Sequence, residues 1–145
     1  MTFQREFEIL TPATPAAVWQ VLADVSRWPE WNAGVEAITL HGAFASGGTF
    51  TMKVPEQPPF TSRLLDVRPG AGFTDETQVG DICVSVEHRV EPAAGGATRI
   101  VYAATVTGPE ADEIGAMVTG DFPDVLKALA ARAEVHRCED VSLPS

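Results

Sequence analysis

The feature of this sequence that most restricts its fold is a long run of short apolar segments with no helical pattern among them. Between residues 35 and 107, six such segments are separated by glycine- and proline-rich stretches, among them HGAFASGG, PEQPP and RPGAG. This spacing is typical of strands joined by short turns, which pair with their chain neighbours in antiparallel fashion. The predicted strands cover residues 35–41, 48–54, 60–68, 72–79, 82–91 and 97–107.

The segment before this run predicts one more strand and two short helices. Residues 3–10 mix large apolar side chains with charges, which suits a half-buried first strand. In TPATPAAVWQVLADV, Thr14 can cap a helix that opens at Pro15. Pro29 would break that helix but can open a second one around the WPEW motif.

The segment after the strands predicts a long helix from about residue 112 to 136. Its apolar residues recur every three or four positions, which is the signature of an amphipathic helix. They are Ile114, Met117, Val118, Phe122, Val125, Leu126, Leu129 and Ala133. Gly120 and Pro123 interrupt the pattern, so we expect a bend or a broken turn near Phe122.

This order of elements predicts an α+β fold. Strands do not alternate with helices after residue 32, which excludes a βαβ array. We expect a curved seven-stranded antiparallel sheet wrapped around the long C-terminal helix, with two short helices after the first strand. An apolar cavity between sheet and helix is expected to hold a small ligand. The single domain is predicted to cover residues 1–138, and residues 139–145 form a loose tail.

Charge and cysteine content narrow the range of partners. The net charge of −10 would repel nucleic acid and anionic lipid surfaces. No stretch approaches the roughly 18 apolar residues of a membrane span, so no membrane insertion is expected. Cys83 and Cys138 are too few for a disulfide scaffold and lack metal-ligand spacing. The sequence predicts a cytoplasmic monomer or homodimer with a small hydrophobic or aromatic molecule as partner.

Two polar residues stand out as candidates for chemistry. In ICVSVEHRVE, alternation places His88 on the same strand face as Val84, Val86 and Val90. An inward histidine could orient a ligand carbonyl or carry a proton, but it could also be a core residue bonded to the backbone or to Tyr102. Tyr102, the only tyrosine, could present its hydroxyl to the same space or could be an ordinary core or rim aromatic.

Candidate cavity-lining residues are mostly large and apolar, as expected for a small-molecule pocket. With His88 and Tyr102, they are Trp31, Phe50, Met52, Phe73, Val86, Met117 and Phe122. Each could equally be an ordinary core residue, and Trp19 and Trp28 are predicted to be structural. An inward Arg63 would bind a ligand carboxylate, although solvent exposure is expected for it. The sequence does not determine whether the Asp75 side chain faces the cavity.

Four segments of the sequence together resemble a known family. They are PAAVWQVLADVSRWPEWN, LLDVRPG, EHRVEPAAGGATRIVYAATVTGP and FPDVLKALAARAE. In this order and spacing they resemble the polyketide cyclase/dehydrase-like branch of the START-like (SRPBCC) superfamily. The resemblance implies the helix-grip fold, in which a long helix closes a curved sheet over a deep hydrophobic cavity. Members include carriers, aromatase/cyclases and chaperone-linked modules, so the fold alone does not select an activity.

Three functional hypotheses follow. The first is non-covalent binding of a small hydrophobic or aromatic ligand, without a metal or an organic cofactor. The second is a polyketide cyclase, dehydratase or isomerase that uses His88 and Tyr102 as acid and base. The third is a protein-interaction domain whose cavity has collapsed.

Overall fold

The protein is built around one seven-stranded antiparallel sheet. The computed structural model describes residues 2–142, and their side chains as far as residue 135. The strands are β1 (Thr2–Thr11), β2 (Ala37–His41), β3 (Thr49–Lys53), β4 (Phe60–Arg68), β5 (Gly72–Val79), β6 (Ile82–Pro92) and β7 (Thr98–Thr107). All seven predicted strands are present. The prediction of an α+β fold with this sheet is confirmed.

The strand order is β1-β7-β6-β5-β4-β3-β2, so β2 to β7 form a meander and β1 pairs with the last strand. The pairing of β4 with β5 shifts in register between Leu65 and Arg68, and Asp66 there has a φ of 49°. A bulge of this kind bends a strand and increases its twist. It therefore contributes to the curvature that gives the sheet a concave face.

Helices α1 (Pro15–Ala23) and α2 (Trp28–Trp31), joined by a 3-10 turn, follow β1. The Thr14 side chain accepts a hydrogen bond from the Ala17 backbone N–H at 3.2 Å, which caps α1 as the sequence predicts. The Trp28 indole Nε1 donates to the Leu22 carbonyl at 3.0 Å. This bond fixes α2 against the end of α1 and directs the Trp28 ring into the interior.

The C-terminal helical segment is broken, as predicted. Helix α3 (Ala111–Thr119) and helix α4 (Phe122–Ser142) are separated by Gly120 and Asp121. Helix α4 packs against α1 and β1 through a buried face. That face consists of Phe122, Val125, Leu126, Leu129, Ala130 and Ala133.

Helix α4 continues to Ser142, so the predicted domain boundary at residue 138 falls inside it. The rest of the predicted tail, residues 143–145, and the Cys138 side chain lie outside the described residues.

Helix α3 packs closely on the first and last strands. At Gly115, an added Cβ would overlap the Phe3 ring, so the helix can lie against β1 only because this position has no side chain. Phe3, Val106 and Ala111 form a small apolar cluster there. The main core lies between the concave face of the sheet and helices α1, α2 and α4.

Candidate functional site

A row of aromatic side chains crosses the concave face of the sheet. Phe73 on β5 pairs in register with His88 on β6, which pairs with Tyr102 on β7. The Phe73 and His88 rings stack with centroids 4.2 Å apart, and Tyr102 meets His88 edge-on at 4.4 Å. Phe122, at the start of α4, continues the row with its centroid 5.5 Å from that of Tyr102. Strand alternation and register thus bring three of the predicted residues together, and the start of α4 adds the fourth, Phe122.

A carboxylate that was not among the predicted site residues completes this row. His88 Nε2 and Asp75 Oδ2 lie 2.8 Å apart, and the two side chains are only 8% and 15% exposed. Asp75 follows Phe73 by two positions on β5, so strand alternation turns both side chains inward. We call Phe73, Asp75, His88, Tyr102 and Phe122 the His88 site.

The second nitrogen of His88 has no hydrogen-bond partner among the described residues, although it is fully buried. A carboxylate can only accept, so the bond to Asp75 places a proton on Nε2. In the neutral ring, Nδ1 is then a lone-pair acceptor held in apolar surroundings. Leaving a buried polar atom unpaired costs about 1–3 kcal/mol.

Tyr102 is held in its protonated form. Burial raises the pKa of its phenol well above the usual range, and the negative charges of Asp75 and Asp121 raise it further. At neutral pH, its hydroxyl is therefore a hydrogen-bond donor or acceptor but not a base. The protonated hydroxyl can donate a hydrogen bond, and the role of Tyr102 in an acid/base pair stays a prediction.

Further aromatic rings fill the space above the His88 site. The Trp28 ring lies 6.2 Å from that of Phe73 and 5.8 Å from that of Phe50. Phe44, in the β2–β3 loop, meets Phe73 edge-on at 5.0 Å. Phe50 and Phe73 are at most 1% exposed. The open cavity expected from the sequence is therefore not confirmed at this position, because large side chains from several elements share the same volume.

The other predicted lining residues lie in three different environments. Val86 is buried on the same strand face as His88. Met52 and Trp31 are partly buried at the margin of the core, and the Trp31 indole nitrogen has no partner among the described residues. The prediction for Met117 is wrong, because its side chain is 69% exposed. Helix α3 turns its Gly115 side to the sheet, and a residue two positions later lies on the opposite face.

Arg63 points away from the site, as expected. Its side chain is 61% exposed and lies 3.5 Å from Glu76 on the convex face of the sheet. The guanidinium therefore cannot reach a ligand bound beside His88.

Asp121, at the break between α3 and α4, meets the loop that follows α2. An added Cβ on Gly34 would lie 2.6 Å from Asp121 Oδ2, so the Asp121 carboxylate lies against the Gly34 backbone. Partial burial raises the pKa of Asp121, a hydrogen bond from its own backbone N–H lowers it, and the nearby charge of Asp124 raises it further. The next residue, Phe122, has its ring centroid 5.5 Å from that of Tyr102, which places this junction beside the His88 site.

Two pockets open at the surface, away from the His88 site. One, of about 130 Å³, lies between α1 and α4 and includes Arg27, Trp31 and Arg132. The other, of about 460 Å³, is a polar groove that includes Thr61, Arg63 and Gln78. Within the part of the chain that the structure describes, no three His, Cys, Asp or Glu side chains cluster as metal ligands. No described helix combines the length and hydropathy needed to cross a bilayer.

Comparison with known families identifies the fold's relatives. Residues 2–134 match the family model described as polyketide cyclase / dehydrase and lipid transport. The chain belongs to this family. The resemblance seen in the sequence to the polyketide cyclase/dehydrase-like branch of the SRPBCC superfamily is thereby confirmed. No curated protein sequence matches this family member.

Solved structures similar to this member of the polyketide cyclase/dehydrase family share its fold at low sequence identity. The Zhui aromatase/cyclase from a Streptomyces species is 20% identical with a TM-score of 0.78, over 92% of this chain and 94% of that one. Ara h 8.0201 is 16% identical with a TM-score of 0.74, over 93% and 99% of the two chains. Norcoclaurine synthase from Thalictrum flavum, in complex with dopamine and hydroxybenzaldehyde, is 16% identical with a TM-score of 0.75, over 94% and 88%. These likenesses show the helix-grip fold of the family.

Proposed function

We propose that this family member binds a small aromatic molecule beside His88, non-covalently and without a cofactor. The observation that carries the proposal is the buried Nδ1 of His88, which has no partner among the described residues while Nε2 is held by Asp75. A ligand hydroxyl donating to Nδ1 would satisfy the atom and recover the cost of its burial. The aromatic walls would supply the apolar contact.

A ligand needs room, and the rings that would move stand on the less constrained elements. Phe44 lies in the β2–β3 loop, and Phe122 is the first residue of α4, next to the break at Gly120 and Asp121. Loops and helix ends open at lower free energy than strands in the middle of a sheet. Phe73, His88 and Tyr102 stand on central strands, so they would form the fixed wall of the site.

Calorimetric titration with 2-naphthol tests the proposal. This probe is a flat aromatic molecule with one hydroxyl that can donate to Nδ1. We expect the protein to bind it with a negative heat-capacity change, because apolar surface leaves water. In His88→Phe the ring remains but the acceptor is lost, and we expect about tenfold weaker binding, the worth of one neutral hydrogen bond.

The matched control is His41→Phe. His41 is exposed on β2, where its Nε2 lies 2.8 Å from Thr51 Oγ1, so its replacement should leave the affinity unchanged. Should Asp75, left without its partner, destabilise His88→Phe, the double variant with Asp75→Leu removes both polar groups. Failure of the wild-type protein to bind 2-naphthol, or equal binding by His88→Phe, would contradict the proposal. Failure to bind would instead favour the interaction-domain hypothesis, which the filled interior also fits.

A second candidate function is proton transfer on an aromatic ketone, as in a cyclase or dehydratase. It is favoured by the bond from Asp75, which orients His88 so that Nδ1 can accept a proton, while the protonated Tyr102 can donate to a developing oxyanion. With 2-tetralone in deuterated water, an enzyme of this kind would accelerate exchange of the α-hydrogens, measured by NMR. The His88→Phe variant should lose the acceleration and His41→Phe should keep it. A pure binder would show no acceleration in any of the three proteins.

A further inference from the structure

Apart from His88 itself, the groups in and around the His88 site that can carry a charge at neutral pH are carboxylates. Asp75 lies inside the site. Asp121 lies at its margin, because it directly precedes Phe122, whose ring contacts that of Tyr102. Neither carboxylate forms an ion pair with a lysine or arginine among the described side chains. Among the described side chains, His88 is the only basic group that Asp75 contacts.

Most of the positive side chains are engaged in ion pairs elsewhere. Their ion pairs are Arg27 with Asp24, Lys53 with Glu36, Arg63 with Glu76, Arg68 with Asp66 and Glu87, Arg89 with Glu6, Glu87 and Glu91, Arg99 with Glu8, and Arg132 with Glu30. Arg5 lies over the Phe3 ring, and Lys127 is exposed on α4. None of the described lysine and arginine side chains forms an ion pair or a cation–π contact with a residue of the His88 site.

The beginning of α4 does not supply the missing positive charge. A helix N-terminus attracts anions through its unpaired N–H groups. Here Asp121 precedes the helix and Asp124 lies in its first turn, so two carboxylates already occupy that end. A ligand carboxylate would be a third negative group at the same place.

From this arrangement we infer that the His88 site selects ligands by charge, taking neutral or amine-bearing aromatic molecules and rejecting aromatic carboxylates. The inference rests on the proposed binding function and specifies its ligand class. Asp121 is the specificity-determining residue, because it lies at the margin and does not hold His88. The Asp75 side chain is only 15% exposed, so its charge is weakly screened, and the exposed Asp121 carboxylate adds to the same field. Like charges brought together there weaken binding, and an ammonium group would gain from the same field.

Three probes of the same shape test the inference by calorimetry at neutral pH. They are 2-naphthol, naphthalen-2-ylmethylamine and 2-naphthoate. We expect the carboxylate to bind about tenfold more weakly, or worse, than the neutral and amine probes. In Asp121→Asn, the ratio of the affinities for the amine and the carboxylate probe should shrink severalfold. Asp112→Asn makes the same charge change at another exposed position, on α3, and should leave the difference in affinity intact.

Equal affinity for the three probes, or tighter binding of the carboxylate, would overturn the charge selection while leaving the proposed binding function in place. An unchanged ratio in Asp121→Asn would overturn the role of Asp121. If the protein bound none of the three probes, both the proposed binding function and the charge selection would be contradicted. Circular dichroism of each variant establishes that the fold is retained.

Discussion

At the scale of single residues, the pairing of His88 with Asp75 is what distinguishes the site from an ordinary core. One nitrogen is fixed by a 2.8 Å hydrogen bond and the other is buried without a partner among the described residues. Most buried polar atoms in proteins are satisfied, so an exception inside an aromatic cluster marks a place where a ligand atom would be stabilised. The same chemistry would also position a base, since the bond from Asp75 fixes the ring.

Tyr102 gives a prediction that one titration can check, since it is the only tyrosine in the sequence. Burial raises the pKa of its phenol, with the charges of Asp75 and Asp121 adding to the effect. The folded state therefore keeps a proton that the unfolded chain loses at about pH 10. The stability that this proton contributes is complete below the pKa of the unfolded chain and is lost as pH rises toward that of the folded state.

In a pH titration of urea-unfolded protein, we expect the absorbance of the Tyr102 phenolate to appear near the ordinary tyrosine pKa. In native protein, we expect it to appear only at the alkaline pH at which the protein unfolds. In Tyr102→Phe, unfolding should depend less steeply on alkaline pH. Reversible appearance of phenolate near the ordinary pKa with an unchanged circular dichroism spectrum would show that the hydroxyl is solvated.

At the scale of elements, the position of α3 depends on one glycine. Gly115 faces the Phe3 ring with no room for a Cβ, whereas the adjacent Ala116 is exposed. Gly115→Leu should lower the free energy of unfolding by about 1–3 kcal/mol, the usual cost of overpacking. Ala116→Leu should change it by no more than about 0.5 kcal/mol. Urea denaturation of both variants measures the difference, and similar values would show that α3 is free to move away from β1.

The break between α3 and α4 is the second feature at this scale. It places Phe122 at a helix start and Asp121 beside Gly34, so the junction supplies one ring and one charge to the margin of the His88 site. Gly120 and Pro123 predict the interruption from the sequence alone. Which residues the junction touches follows from the packing of α4 against α1 and β1.

At the scale of the whole molecule, the interior between sheet and helices is occupied by stacked rings. Phe73 lies in the middle, fully buried against His88, Trp28 and Phe44. Phe73→Ala should lower the free energy of unfolding by about 3–5 kcal/mol, because the fixed strands cannot collapse around the space left behind. Val79→Ala on the same strand, where the side chain is 58% exposed, is the control and should cost little. A small effect at Phe73, measured by thermal unfolding, would indicate that the interior is loosely packed.

The sequence alone determined the elements of this fold, because their signals are local. Alternating apolar residues and turn residues predict the strands. Thr14 and Pro15 predict the start of α1, and Gly120 predicts the break before α4. The same alternation correctly placed His88 on the inner face. The family could be recognised for the same reason, since its segments occur in order along the chain.

The tertiary structure decided which side chains meet. Alternation with Phe73 could have placed Asp75 on the inner face, but only the β5–β6 register shows that its carboxylate meets His88. Met117 was misplaced because helical spacing identifies an apolar face but not how far it turns toward the sheet. Whether the interior is hollow or filled depends on the summed volumes of rings from separate elements. That sum is a property of packing in three dimensions, and no local pattern in the sequence contains it.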